Sequence, residues 1–368
     1  MKFSCNVDDF INKLSISTRV LSSKATSPIL DGACLVAGDD VLDIICSNGM
    51  MSVVSRIDAS VEEPGGIVLP GRFLLDVSRR LPQGEVSFSS NAQNFCTIRC
   101  RDFNMKMAGR QESDYPRLPV VSSEQYVTLR QSVFRDMINR TAFAMAVDDP
   151  RTVLNGCYLE VADGCAKMVA LDGFRLAVRK EQADAGEYEL KAIIPSKTVY
   201  EIAKVLTDDD ESEARIMSGG SQMLIDLGTT KVYTKLVEGT YLKYDTLLQG
   251  KFVTSIQFDR DEMTSCIERA ALIAREGNNK LIVFDVTPEH LTIKANSETS
   301  DLSETMFFEN RGESMVIAFN VTYVTDVMRA LPEGQAVLKL SSPVSSSLVL
   351  PLEGDSFAYI MLPVRIGA

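Results

Sequence analysis

The chain has 368 residues, 45% of them hydrophobic and 24% charged, with a formal net charge of −12. This is ordinary globular material, enough for several cores, without a tail of one charge sign or a low-complexity tract. No apolar run approaches the roughly 20 residues that a membrane-spanning helix needs, and the opening Met1-Lys2-Phe3-Ser4-Cys5-Asn6-Val7-Asp8-Asp9 carries acids where a secretory leader is apolar, so neither is expected.

In chain order, Lys2–Asn6 reads as an opening strand and 8–20 as a helix, with Asp8 at its N-cap. Short apolar or alternating bursts at 34–36, 41–46 and 51–57 read as strands, and Pro64-Gly65-Gly66 as a turn. A second helix is predicted over 71–81, closed by Pro82. A meander follows at 85–89, 95–101 and 103–108. The same order then recurs, with helices opening at Gln131 and Ser196 and again at Arg260 and Asn320, and with joints at 113–119 and 239–250.

The recurrence is explicit in the residues. I-V-L-P-G-R-F-L-L-D-V-S-R-R-L-P (67–82), A-I-I-P-S-K-T-V-Y-E-I-A-K-V-L (192–206) and I-A-F-N-V-T-Y-V-T-D-V-M-R-A-L-P (317–332) align position by position. Pro70, Pro195 and Asn320 correspond, then Arg72, Lys197 and Thr322, then Asp76, Glu201 and Asp326. A second frame agrees: Phe10, Phe134 and Met263 open amphipathic stretches, and Asn48-Gly49, Asp172-Gly173 and Asn296-Ser297 sit in turns after apolar runs. A period of 125 residues, the interval from Pro70 to Pro195 and from Pro195 to Asn320, is a whole domain rather than a solenoid unit of about 20–50 residues. The expectation is three equivalent domains, at 1–121, 127–246 and 251–368. Each is an α+β layer of two helices on antiparallel strands. The stripes Phe73, Leu74, Val77, Leu81; Val199, Ile202, Ala203, Leu206; and Tyr323, Val324, Val327, Leu331 are expected to face the core. Arg79 and Arg80 lie off the centre of the first stripe, so at least one of them is expected to face outward.

The negative total charge taken alone argues against nucleic acid, but charge is sorted by location. Lys13, Arg19, Arg72, Arg79, Arg80, Arg135, Arg140, Lys197, Lys204, Arg269, Arg275 and Arg329 fall in helical stretches, whereas Asp39-Asp40, Glu62-Glu63, Asp148-Asp149, 208–211 and Glu309 fall in connections. One domain with that bias has a solvated face. Three with the same bias point to one shared basic surface.

No catalytic constellation is present. The one histidine, His290, lies in a turn without a counterpart in the other repeats, and the phosphate-binding and nucleophile-elbow motifs are absent. The eight cysteines form no CxxC pair and differ between repeats, which predicts buried free thiols in a reducing cytoplasm and no metal site or disulfide framework. The chain is expected to act by shape and binding, without a cofactor. A hydrolase on a triplicated scaffold and a monomeric interaction adaptor are the competing readings.

Pro28-Ile29-Leu30 with Gly32, Leu154-Asn155-Gly156, Asp172-Gly173-Phe174-Arg175-Leu176-Ala177, Asp114-Tyr115-Pro116, Phe319 to Val327, Pro343-Val344-Ser345-Ser346 and Tyr359 to Ile366 stand in an order that resembles the bacterial DNA polymerase III β subunit family. The resemblance covers essentially the whole chain. It implies the DNA clamp fold, a ring-forming head-to-tail homodimer around duplex DNA, no catalysis, and partners in the polymerase III catalytic subunit, the clamp loader and other clamp-binding proteins. It implies DNA-facing positions at Lys24, Arg72 and Lys197, with Arg79 and Arg80 added from their place on the helix. The implied dimer contact takes in Leu272, Ile273, Glu298 and Glu304 against Arg99, Arg101 or Lys106. Finally, it implies a peptide pocket at Leu154, Leu171, Gly173, Phe174, Arg175, Leu176, Leu247, Val344, Ser346, Ile360, Met361, Leu362, Pro363, Val364 and Arg365, with Asn320 and Tyr323 at its edge. Phe174 stands where the family commonly has His, Leu242 where Pro is usual, and Thr246 where some members have Arg.

Overall fold

The structure is a computed structural model that describes residues 1–21, 27–121, 125–277 and 280–365. Among the described residues, six α-helices run in chain order: α1 (Val7–Ser17), α2 (Gly71–Ser78), α3 (Gln131–Asn139), α4 (Ser196–Val205), α5 (Arg260–Glu276) and α6 (Val321–Ala330). Each third carries two of them among antiparallel strands, the α+β arrangement expected of the sequence.

Local chemistry explains where the helices start and stop. α1 is capped by Asn6 rather than Asp8: the Asn6 Oδ1 accepts from the backbone N–H of Asp8 (2.8 Å) and Asp9 (3.3 Å). This leaves both acids in the first turn, where they complement the helix dipole. Asp259 and Asn320 do the same for α5 and α6. The helix predicted to reach Leu81 ends at Ser78 instead; Arg80 N–H bonds to Val77 and Leu81 N–H to Ser78, a tighter final turn. The stripe on this helix is also shifted. Leu74, Leu75 and Ser78 are buried, whereas Phe73 is half exposed and Val77 only partly covered. Both Arg79 and Arg80 are exposed. In α4 and α6 the expected apolar positions are buried, except Tyr323, which is partly covered.

The strands form four sheets, distributed over two compact units. One unit comprises Met1–Arg135, Asp184–Tyr188 and Tyr200–Leu236; the other comprises Asp136–Ala183, Glu189–Val199 and Val237–Ala368. In the first unit, strand Met51–Asp58 of the first repeat pairs antiparallel with Thr230–Lys235 of the second, from Thr230↔Ser55 to Thr234↔Met51, and so joins four strands of each repeat into an eight-stranded sheet. In the second unit, Arg175–Gln182 of the second repeat pairs in the same way with Phe357–Met361 of the third, giving a nine-stranded sheet. The two remaining sheets lie within one repeat each. The five-stranded sheet of the first unit ends at Phe103–Ala108, and the four-stranded sheet of the second ends at Asp301–Met306. Counted by repeat, these are the counterparts of the joining strands, and each is a free edge among the described residues.

The cores are apolar and thiol-rich. Seven of the eight cysteines are buried and Cys165 is partly covered, all as free thiols. Burial pushes the Cys5, Cys34 and Cys157 thiols up to about 12.

Candidate functional site

In the second unit the strand Cys165–Leu171 turns back into Arg175–Gln182 through Asp172, Gly173 and Phe174. The Asp172 Oδ1 accepts from the backbone N–H of Phe174 (2.9 Å) and Arg175 (3.0 Å), and Gly173 takes φ +92°, a left-handed conformation suited to a residue without Cβ. This turn is tied to the C-terminal stretch: Leu362 N–H donates to the Phe174 carbonyl at 2.8 Å, and two residues later Val364 N–H donates to Ala318 at 2.8 Å.

Between the turn and that stretch lies a cavity of about 150 Å³ lined by Leu171, Gly173, Phe174, Arg175, Leu176, Leu247, Ser346, Ile360 and Leu362. Its floor belongs to a buried cluster that includes Leu154, Val169, Leu171, Leu176, Leu348 and Ile360. Its rim is apolar and open, with Phe174 58%, Leu247 51% and Leu362 38% exposed. An apolar floor with a few polar groups at the edge is the composition of a ligand pocket.

Arg175 is the charged group of this wall, and it is already engaged. Its Nε meets the Asp172 Oδ2 at 3.0 Å and its Nη1 meets the Asp326 Oδ2 at 2.5 Å, with the side chain only 12% exposed. The guanidinium also lies 4.7 Å from the centre of the Tyr323 ring and 5.4 Å from that of Phe143. Tyr323 in turn stacks on Phe174, with centroids 6.2 Å apart and planes 24° from parallel. Partial burial, together with the Asp172 charge, holds the Tyr323 phenol above its ordinary range.

Of the seventeen pocket positions expected from the sequence, nine line the cavity. Leu154 is fully buried in the floor cluster, and Tyr323 backs the rim through Phe174. Asn320 caps α6, its Oδ1 accepting from Thr322 N–H at 2.9 Å. Met361 does not line the cavity: it is buried, opposite Arg175 in the strand pairing, with its carbonyl taking the Ser347 hydroxyl at 3.1 Å. Val344 is exposed in the turn before Ser346, Pro363 and Val364 are partly covered, and Arg365 is exposed. Asp172, Asp326 and Phe143 were not expected as site residues. Asp326 had one signal, an acid at the same place in all three repeats (Asp76, Glu201, Asp326).

Of the DNA-facing set, Arg72 lies on α2, with Arg79 and Arg80 just past its end, and Lys197 lies on α4. Lys24 lies outside the described residues. Arg72 and Lys197 are exposed, and Arg72 Nη2 donates to the Leu21 carbonyl at 2.7 Å. Arg80 Nη1 returns to the Asp76 carbonyl at 2.8 Å, and Arg79 Nη2 reaches Ser15 Oγ at 3.4 Å. The dimer set falls near the two free edges. Leu272 is 67% exposed on α5 and Ile273 partly covered. Glu304 lies on the edge strand Asp301–Met306, and Glu298 just before it. Glu304 is gripped by Arg269 of its own chain, Nε to Oε2 at 2.9 Å, which holds its carboxyl below the usual range. Lys106 lies on the other edge strand, 4.4 Å over the Phe95 ring; Arg99 is on the neighbouring strand and Arg101 in the turn between them, at φ +51°.

Residues 1–119, 128–243 and 246–365 match, in turn, the N-terminal, central and C-terminal domains of the DNA polymerase III beta subunit. The chain belongs to that family. The beta sliding clamps of Staphylococcus epidermidis and Staphylococcus aureus are each 28% identical to it over 99% of both chains. The crystal structure of the DNA polymerase sliding clamp from Bacillus subtilis covers all of both chains at 27% identity with a TM-score of 0.97. That of the Pseudomonas aeruginosa sliding clamp bound to griselimycin does so at 27% and 0.93. The three repeats are therefore clamp domains, and the chain is a non-catalytic processivity clamp of DNA polymerase III, which sets aside the hydrolase reading. No helix among the described residues is long and apolar enough to cross a membrane.

Proposed function

We propose that two copies of this clamp close head to tail around duplex DNA, and that partners such as the polymerase III catalytic subunit and the clamp loader dock through the cavity beside Phe174. The observation that carries the ring is the pattern of sheet joining. The strand Met51–Asp58 receives Thr230–Lys235, and Arg175–Gln182 receives Phe357–Met361. By repeat, Asp301–Met306 should receive Phe103–Ala108, but within one chain each of these is an edge. A second copy supplies the missing strand on both sides, turning a four-stranded and a five-stranded sheet into a third composite sheet. A head-to-tail contact of this kind closes when the rotation per protomer returns to the start. Leu272, Ile273, Glu298 and Glu304 then face the side of Arg99, Arg101 and Lys106, with Arg269 competing for Glu304. The domain limits 1–121, 127–246 and 251–368 belong to this reading.

Lys24, Arg72, Arg79, Arg80 and Lys197 meet phosphate without reading sequence. Retention is topological, so their attraction stays weak and salt-dependent. On nicked circular DNA a loaded clamp persists, and linearising the circle lets it run off the ends; retention unchanged by linearisation refutes the ring. A strict monomer at micromolar protein would favour an interaction adaptor instead. For the pocket, the ligand is a short extended segment carrying Leu and Phe side chains. A labelled peptide of that kind should bind the wild-type dimer and be lost on Ile360→Asp, which puts a charge into the apolar floor.

A further inference from the structure

We infer that Asp326 is a positioning residue of the peptide pocket: acting through Arg175, it holds the Phe174–Tyr323 rim in its binding geometry before a peptide arrives. The inference rests on the cavity being the peptide site.

The rim and its support come from two elements, the turn at 172–175 and α6. Phe174 and Arg175 come from the Asp172–Arg175 turn, and Tyr323 and Asp326 come from α6. Tyr323 and Asp326 are three residues apart on that helix and so lie on one face. Arg175 bridges the elements. Asp172 holds one edge of its guanidinium and Asp326 the other, and the plane so fixed lies over the Tyr323 ring. Tyr323, covered on that side, offers its other contact to Phe174. The most exposed aromatic of the rim thus owes its position to a carboxylate outside the cavity. Arg175 placed between two acids also has its charge compensated, so it is a strut for the wall rather than an anchor for a peptide carboxylate.

Removing the Asp326 charge leaves Arg175 with the local Asp172 alone, and one partner is taken from a pair that is mostly buried. The guanidinium can then swing with the turn, uncovering Tyr323 and freeing Phe174. A rim that must be ordered by the ligand binds more weakly than one ordered in advance.

The test uses the full-length dimer and a fluorescein-labelled peptide with Leu and Phe side chains. Asp326→Asn is expected to weaken binding about tenfold with dimer mass unchanged, and Asp326→Glu, which restores the carboxylate, to recover to within about threefold of wild type. The chain has no tryptophan, so Phe174→Trp gives a single reporter of the rim. Without peptide, its anisotropy should fall when Asp326→Asn is added and recover with Asp326→Glu. Wild-type affinity in Asp326→Asn, or anisotropy indifferent to it, overturns the inference. Should Asp326→Asn not fold, the anisotropy of Phe174→Trp in the otherwise wild-type protein decides: a side chain already restrained without peptide supports a rim set in advance, and restraint that arises only with peptide refutes it. Failure of the peptide to bind the wild-type dimer overturns the pocket assignment, and this inference with it.

Discussion

Leu272→Ala tests the ring where the chain alone gives the side chain nothing to do. On α5, Ala270, Ala271 and Ala274 are buried, whereas Leu272 projects outward and is 67% exposed. Complete burial of a leucine side chain is worth about 1.5–3 kcal/mol, so covering the exposed two-thirds at a subunit contact contributes about 1–2 kcal/mol. A ring of two copies has two such contacts, which brings the total to about 2–4 kcal/mol. At 1.4 kcal/mol per factor of ten, the dimer dissociation constant should rise by about 30- to 700-fold. Sedimentation across a dilution series reads this directly. Thermal unfolding of the monomer should barely change, since exposed substitutions generally fall within about 0.5 kcal/mol. A dissociation constant within twofold of wild type would refute the placement of α5 at the contact.

Tyr359→Phe removes a buried hydroxyl that donates to the Ala330 carbonyl at 3.2 Å. It should cost about 1 kcal/mol in urea unfolding, an upper figure because Arg140 Nη1 donates to the same oxygen at 2.6 Å. Arg72→Glu with Lys197→Glu should weaken the direct attraction to duplex DNA and flatten its salt dependence by about two counterions per chain, leaving dimer mass and retention on closed circular DNA unchanged; an unaltered salt slope places neither residue near phosphate. A thiol reagent at neutral pH should titrate the partly covered Cys165 first and the buried cysteines only after denaturation, because the thiolate is the reactive form. Folded Cys5, Cys34 and Cys157 keep their protons up to about 12 against 9.0 for the free thiol, so the native state binds more protons in that window. Stability should therefore fall as pH rises from about 9 towards 12, and a flat alkaline limb in pH-dependent unfolding counts against those burials.

The repeat was the legible part of the sequence, because helix starts and apolar stripes are written locally. Gln131, Ser196 and Arg260 open helices where the pattern placed them. Phe73 was misread because its repeat partner Tyr323 finds a neighbour in Phe174, whereas Phe73 stays half exposed within its own chain. Asn6 rather than Asp8 capped α1, since either side chain suits that role and only the backbone path decides. Family resemblance named the pocket positions, nine of which line one cavity. Met361 is buried beside that cavity, and its place opposite Arg175 depends on a strand partner about 180 residues away, which no local pattern reveals. The Arg175–Asp326 pair was equally hidden: a charge seen in three copies does not say which opposite charge it meets.

The composite sheets also change what counts as a part of this molecule. Excising residues 127–246, a complete repeat by sequence, would strip the strand Arg175–Gln182 of Phe357–Met361 and the strand Thr230–Lys235 of Met51–Asp58. The fragment would carry two long, freshly cut flanks of unpaired backbone. Such a piece should aggregate or pair with itself rather than persist as a small soluble domain. The borders of the sequence repeats and those of the two compact units fall in different places along this chain.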